Sequence, residues 1–266
     1  MKRTNRSKYL RVADDLVQVL STALLQGRSA AMRKVSCAIA SRVSRVPSAN
    51  EILPCIQRIG GTGNFNTFVD VGANMGEITL SVCKLFPRCI AVEPDPMSAS
   101  VIQEEISYRG FVNSQVAVRA LGDTIGKARM FVNKRSDQNS LVQQPHLFPG
   151  MSVSVVTLDW LVTEFQLQPP FLIKIDVQGS ELRVLMGAKK TLGQDCTIVT
   201  EFWPGGLKNS GIQALDLIRF MFEQGFVCLN LSGQPVDYSR IYYYCKLAEK
   251  WHKLSTDLMF VRPGKE

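Results

Sequence analysis

The sequence predicts an α/β protein: a mostly parallel sheet with helices on both faces, preceded by a basic helical extension. Three observations predict it. From residue 66 onward, short apolar runs alternate with amphipathic segments, and parallel strands joined by helical crossovers produce that alternation. Two of these runs, "FVDVG" at 68–72 and "IKIDVQG" at 173–179, end in an acid followed by glycine, as strand tips that face a ligand do. The positive charge is also concentrated at one end. Residues 1–50 hold ten Lys or Arg (2, 3, 6, 8, 11, 28, 33, 34, 42 and 45) against Asp14 and Asp15, and the rest of the chain is balanced.

Taken in order, Val12, Leu16, Leu20 and Leu24 recur every four residues along one face of a helix. A basic amphipathic helix suits docking on its own domain, self-association or a peripheral contact with an anionic membrane. Pro47, Pro54 and "GGTG" at 60–63 interrupt this pattern, so residues 1–60 are expected to form the extension and 61–266 the main domain. Strands are predicted at 67–71 and 89–93, with helices at about 76–86 and 96–109. A third strand is predicted at 115–121 ("QVAVRAL") and a further one near 127–133. Residues 134–150 are polar with two prolines, a loop long enough to act as a lid. "SVSVVTLDWLVTEF" then reads as strand into helix, and 171–192 as strand, acid tip, glycine and amphipathic helix. "CTIVTEF" at 196–202 is a buried strand with Glu201 near its end. A helix at about 211–224, "FVCLNL", a helical stretch around 239–252 and "DLMFVR" complete the domain.

The chemistry concentrates in "FVDVGANMGEIT", residues 68–79. A dinucleotide site needs G-x-G-x-x-G for close approach to a pyrophosphate, whereas here Asp70 precedes Gly72-x-x-x-Gly76. A carboxylate is unfavourable beside phosphates and favourable beside a cation. S-adenosylmethionine carries an ammonium and a sulfonium and no phosphate, which disfavours a nicotinamide oxidoreductase. Glu93 in "AVEPDP" lies 17 residues beyond Gly76, where an acid accepts both ribose hydroxyls. Asp70, Gly72, Ala73, Asn74 and Gly76 are therefore assigned to the methionine end of the cofactor and Glu93 to the ribose. Asp123, in "LGD" past the third strand, is assigned to the adenine amine, with an ordinary turn aspartate as the alternative.

These residues, with "IKIDVQGSELRVLMGA" at 173–188, "RALGDTIG", Asn-Ser-Leu at 139–141, "VVTLDWL" and "DLMFVR", resemble the FkbM-type methyltransferases, a branch of the class I S-adenosylmethionine-dependent enzymes. The resemblance covers roughly residues 65–263. It implies a Rossmann-like class I methyltransferase fold with seven strands, the last antiparallel. It also implies methyl transfer, usually to oxygen, with sugars, lipid-linked glycans and polyketides among the family's acceptors. The family more often has glutamate where this chain has Gln178. The alternative from another class is a non-catalytic S-adenosylmethionine-binding protein of the same fold, against which the intact acids at 70, 93, 176 and 201 argue.

Methyl transfer needs mainly an in-line approach, and a base completes it by taking the acceptor's proton. Asp176, at the end of the strand after the long loop, is assigned that role or the holding of the acceptor hydroxyl. Lys174, two residues back, points to the same side and would keep Asp176 ionised, although a purely structural pair is the competing reading. Glu181 and Glu201 complete an acidic pocket in which two or three carboxylates offer oxygen ligands to a divalent cation. His146, in the lid, competes as base. The main body shows no basic stripe with interleaved aromatics, so nucleic acid is not expected as partner. Seven scattered cysteines without a C-x-x-C pair indicate neither a disulfide framework nor a zinc site, and with no long apolar run a cytoplasmic location is expected.

Overall fold

A computed structural model describes residues 51–132, 139–143 and 148–264, all of which belong to the compact unit Pro47–Glu266. The predicted extension helix of residues 1–50 and the lid residue His146 lie outside the described residues.

Parallel strands β1 (Thr67–Val71), β2 (Arg88–Val92), β3 (Ser114–Ala117), β7 (Phe171–Ile175) and β8 (Cys196–Phe202) form most of a seven-stranded sheet. Its order is β3-β2-β1-β7-β8-β10-β9, with β9 at Val227–Leu229 and β10 at Thr256–Val261. Only β10 runs antiparallel to its neighbours. β1 and β7 are buried at all five positions, as apolar runs covered on both faces require. The strand order reverses beside β1, at the junction with β7, so the crevice outside the carboxyl ends of these two strands is the place for a ligand.

The helices that cover this sheet begin where the sequence supplies caps. The Asp95 carboxylate accepts from the N–H groups of Met97 and Ser98 at the start of α3 (Pro96–Tyr108), with Pro96 at the first helical position. Thr157 caps α4 (Leu158–Glu164) in the same way. On one face, α1 (Ile52–Gly60), α2 (Glu77–Val82) and α3 bury Cys55, Ile56, Val82 and Ile102 against Phe68 and Phe86, whose rings stack with centroids 5.0 Å apart. Residues 52–60, grouped with the extension on sequence grounds, thus pack into the core of the main domain. The predicted helix after β7 is broken into α5 (Glu181–Met186) and α6 (Lys189–Leu192). A side chain at Gly187 would land on the carbonyl oxygen of Gly122, and Asp159 from α4 takes the N–H groups of Lys190 and Thr191.

The predicted single strand at 115–121 is two. Its first half is β3; at Val118 the chain leaves the main sheet, and Ala120–Leu121 (β4) pairs with β6 (Phe148–Val156) in a second sheet of order β4-β6-β5, β5 being Gly126–Val132. Ala120 joins Met130, Val153 and Val155 in a small separate core that stabilises the departure. A short helix α7 (Pro204–Asn209), absent from the sequence reading, follows β8 before α8 (Ala214–Glu223). Residues 241–244, "IYYY", fall in α9 (Tyr238–Lys250), with Ile241 and Tyr244 buried and Tyr242 exposed.

Asp257 on β10 lies directly opposite Glu201 on β8 and is buried. Burial, then the nearby Asp176, pushes its carboxyl up to about 7, with Lys174 pulling the other way. An acid whose folded pKa is raised stabilises the fold fully below its ordinary pKa and loses that contribution as pH climbs through the folded value, here from about pH 4 to about pH 7. Asp257→Asn should therefore melt less pH-dependently than the parent. Thermal melts between about pH 5 and pH 8 should show the parent losing about 5–10 °C more than the variant over that interval.

Candidate active site at the carboxyl ends of the central strands

Asp70 and Lys174 face each other across the β1–β7 register, so their side chains emerge on the same side of the sheet. Lys174 Nζ lies 3.0 Å from Asp70 Oδ1, and Thr79 donates its hydroxyl to Asp70 Oδ2 at 2.7 Å. The same ammonium donates to the Gly72 carbonyl at 3.0 Å and lies 3.9 Å from Asp176 Oδ2. Burial pulls the Lys174 pKa down, but Asp70 and then Asp176 more than offset it, and the net shift is upward. Lys174 is thus a fixed cation without a free lone pair. It organises the site and cannot accept a proton.

The glycine loop is shaped by backbone geometry. Gly72 has φ 79°, and a Cβ there would land on the Asp176 carbonyl oxygen, so only glycine lets the loop lie against the tip of β7. The N–H groups of Gly72 and Ala73 both donate to the Val92 carbonyl (2.9 and 3.1 Å). Glu93 then closes the loop from the other side. One carboxylate oxygen accepts from Asn74 N–H and the other from Asp95 N–H, each at 2.8 Å. Burial raises the Glu93 pKa, and these two amides oppose the rise.

A cavity of about 400 Å³ opens above these groups. It is lined by residues 70–75, 92–94, 119–121, 139–141 and 176–178, together with Glu77, Ile78, Met130 and Lys174. Of the residues assigned from sequence, Asp70, Gly72, Ala73, Asn74, Glu93, Lys174 and Asp176 meet there. Gly76 does not line it; with φ 82° it starts α2, where a Cβ would press on Ile102. Asp123 does not line it either, and is ion-paired to Arg183 at 3.3 Å. The wall beyond Glu93 is formed instead by Arg119, Ala120 and Leu121, which the break between the two sheets brings to the rim. Asn74 Oδ1 is buried and has no hydrogen-bond partner among the described residues, an acceptor in the cavity wall that a ligand donor can satisfy.

The acids near Asp176 are not equivalent. The Asp176 side chain is 36% exposed and reaches the cavity. Glu181 is fully buried and accepts from Val177 N–H at 3.2 Å and Gly179 N–H at 2.9 Å, holding the 177–179 turn. Burial pushes its carboxyl up to about 7 against those amides, and Asp176 adds to the rise. Glu201 is raised well above the usual range by burial, then by Asp176, Glu181 and Asp257, and does not line the cavity. Gln178, to which no role was assigned from sequence, has a left-handed backbone (φ 56°). Its amide donates to Asp176 Oδ1 at 2.7 Å and to Glu201 Oε2 at 3.2 Å. Among the described residues no group of three or more His, Cys, Asp or Glu is disposed to hold a metal ion. Both Glu181 oxygens accept from backbone amides, and the Gln178 amide sits between Asp176 and Glu201.

Residues 70–228 match the family model described as the methyltransferase FkbM domain. No curated protein matches the chain significantly. Among solved structures, a methyltransferase FkbM from Methylobacillus flagellatus KT is 17% identical with a TM-score of 0.49, covering 74% of this chain and 44% of its own. This chain thus spans less than half of that relative. A TehB-like SAM-dependent methyltransferase from Corynebacterium glutamicum is 13% identical (TM-score 0.40; 79% and 86% covered). A precorrin-6y C5,15-methyltransferase from Geobacter metallireducens is 10% identical (TM-score 0.38; 65% and 72%). The matched domain takes in the glycine loop, Glu93, the cavity wall and the acid-tipped β7, and because it spans more than half of the sequence, this chain belongs to the FkbM methyltransferase family.

Proposed function

We propose that the cavity binds S-adenosylmethionine and that the protein methylates a hydroxyl oxygen on a sugar, glycan, lipid or polyketide-like acceptor. The observation that carries the cofactor reading is the unpartnered Asn74 Oδ1 beside a carboxylate-rimmed glycine loop. A buried acceptor of this kind matches an ammonium donor, and among the cavity acids outside the Asp70–Lys174 pair, Glu93 and Asp176 suit hydroxyls and positive charge. Asp70 acts at one remove: its charge is met by Lys174, which in turn fixes the Gly72 carbonyl. Glu93 has one lone pair per oxygen engaged by backbone and the others available to ribose hydroxyls.

S-adenosylmethionine, when bound, supplies an electrophilic methyl group on a positively charged sulfur. What the chain supplies is placement and a proton acceptor. Gly72 brings the loop against β7, so the cofactor end of the cavity and Asp176 share one wall. Asp176 takes the hydroxyl proton or holds the hydroxyl for attack, as a carboxylate at the rim with an ammonium 3.9 Å away can. His146 remains the alternative base.

The cofactor reading predicts that Asn74→Leu and Glu93→Ala each weaken S-adenosylmethionine binding about 10- to 100-fold by calorimetry, the loss of one hydrogen bond to a charged or hydroxyl partner. Parent-like affinity in both variants would exclude this placement. The catalytic reading predicts that Asp176→Asn lowers turnover about 100-fold or more on the acceptor with cofactor affinity within a few-fold of the parent. If His146→Ala is the variant that loses turnover while Asp176→Asn retains it, the proton acceptor is His146.

A further inference from the structure

Gln178 adopts a left-handed backbone conformation (φ 56°) that strains a non-glycine residue, so something must hold it there. Two anchors do. The Ser140 hydroxyl donates to the Gln178 carbonyl at 2.9 Å, and Ser140 is itself buried, exchanging two backbone hydrogen bonds with Phe131 (2.7 and 3.0 Å). On the other side the next residue, Gly179 (φ 102°), gives its N–H to both oxygens of Glu181. A Cβ at Gly179 would press on the Gly206 backbone of α7, which closes the remaining direction. With the backbone held there, the side-chain amide of Gln178 places its nitrogen between Asp176 Oδ1 and Glu201 Oε2.

We propose that Gln178 is a positioning residue for Asp176: its two N–H donors bridge Asp176 and Glu201 in the gap that a cation or an extra proton would otherwise fill, and leave Asp176 Oδ2 as the oxygen presented to the acceptor. The surroundings explain why a neutral donor belongs there. Lys174 on β7, Glu181 on α5, Glu201 on β8 and Asp257 on β10 all interact electrostatically with Asp176, and Asp70 on β1 is engaged by the same lysine. Among the described residues one cation faces five acids. Burial and mutual repulsion already hold Glu181, Glu201 and Asp257 above the usual carboxylate range. A sixth carboxylate at position 178 would have to take up a proton or recruit a metal ion. The role given to Oδ2 rests on the reading of Asp176 as the acceptor-side acid, but the bridge can be tested without acceptor or cofactor.

The test compares thermal melts of the full chain carrying Gln178→Glu, Gln178→Leu, and Gln178→Glu combined with Asp176→Asn. Gln178→Glu should melt about 5 °C or more below the parent near pH 8, with the gap closing to under about 2 °C near pH 5.5, because the added acid must be protonated to fit. Millimolar Ca²⁺ should recover about half of that loss near pH 8 by bridging the carboxylates. Gln178→Leu, which leaves the two carboxylates unbridged and adds no charge, should show a smaller loss that low pH also relieves, and Asp176→Asn should diminish the pH-dependent part in the double variant. Equal, pH-independent losses in Gln178→Glu and Gln178→Leu without a calcium response would make Gln178 a turn residue only and overturn the proposal. An undiminished pH dependence in the double variant would overturn it too, by showing that Asp176 is not the partner. Calorimetry of the parent with S-adenosylhomocysteine, run in parallel, reports on the cofactor reading alone, and its failure would leave the melts interpretable.

Discussion

The buried ion pair between Asp70 and Lys174 is the constraint on which the rest of the site depends. Neither side chain reaches solvent to any useful extent, and removing one partner of such a pair leaves a bare charge in the interior at a cost of about 3–5 kcal/mol. The pair need not add net stability over an apolar pair to be retained. What it contributes is registry: it ties the middle strand to its neighbour, places an ammonium under the Gly72 carbonyl, and brings that cation near Asp176. A single lysine thereby sets the distance between the loop that receives the cofactor in our reading and the acid that faces the acceptor. An apolar pair would preserve the sheet and lose that relation.

Around this pair the protein sorts carboxylates by burial. Asp176 is open to the cavity, whereas Glu181 is fully buried and fastened to backbone amides, and Glu201, half-buried, does not line the cavity and accepts from a glutamine amide. Desolvation favours the neutral form of Glu181 and Glu201 and so limits the negative charge that accumulates beside Asp176. An acidic cluster by count is therefore less acidic by charge, which lets several such residues coexist at one sheet edge with a single lysine.

Much of this was legible in the sequence and some was not, for identifiable reasons. The glycine loop was legible because a strand with an acid at its tip, followed by Gly72 and Gly76, combines two local requirements, continuous burial of a central strand and positive φ. That Glu93 reaches the same cavity was legible from its spacing beyond Gly76. "QVAVRAL" was misread as one strand because alternation shows that residues are buried and not which sheet they pair with; the transfer at Val118 depends on β6, more than thirty residues downstream. α7 was missed because Gly205 and Gly206 look like loop residues, whereas Gly206 has no side chain because the Trp203 ring occupies that space. Asp123 was assigned to the ligand by its position after a strand, but its partner, Arg183, lies sixty residues away on α5. Protonation states were beyond reach, since they follow from burial of Glu181, Glu201 and Asp257 by elements far apart in the chain.

The loop at 72–76 holds its shape almost wholly through main-chain atoms: two N–H groups on one carbonyl, one on Glu93, and glycines where a Cβ cannot fit. For the design of a selective inhibitor this divides the cavity in two. A compound that competes only at the loop would contact atoms common to any chain folded this way, and would discriminate poorly among related enzymes. The individual character of this pocket lies at Gln178, where this chain departs from the family's pattern. A molecule extended from the loop toward that residue would draw its affinity from the first half and its selectivity from the second.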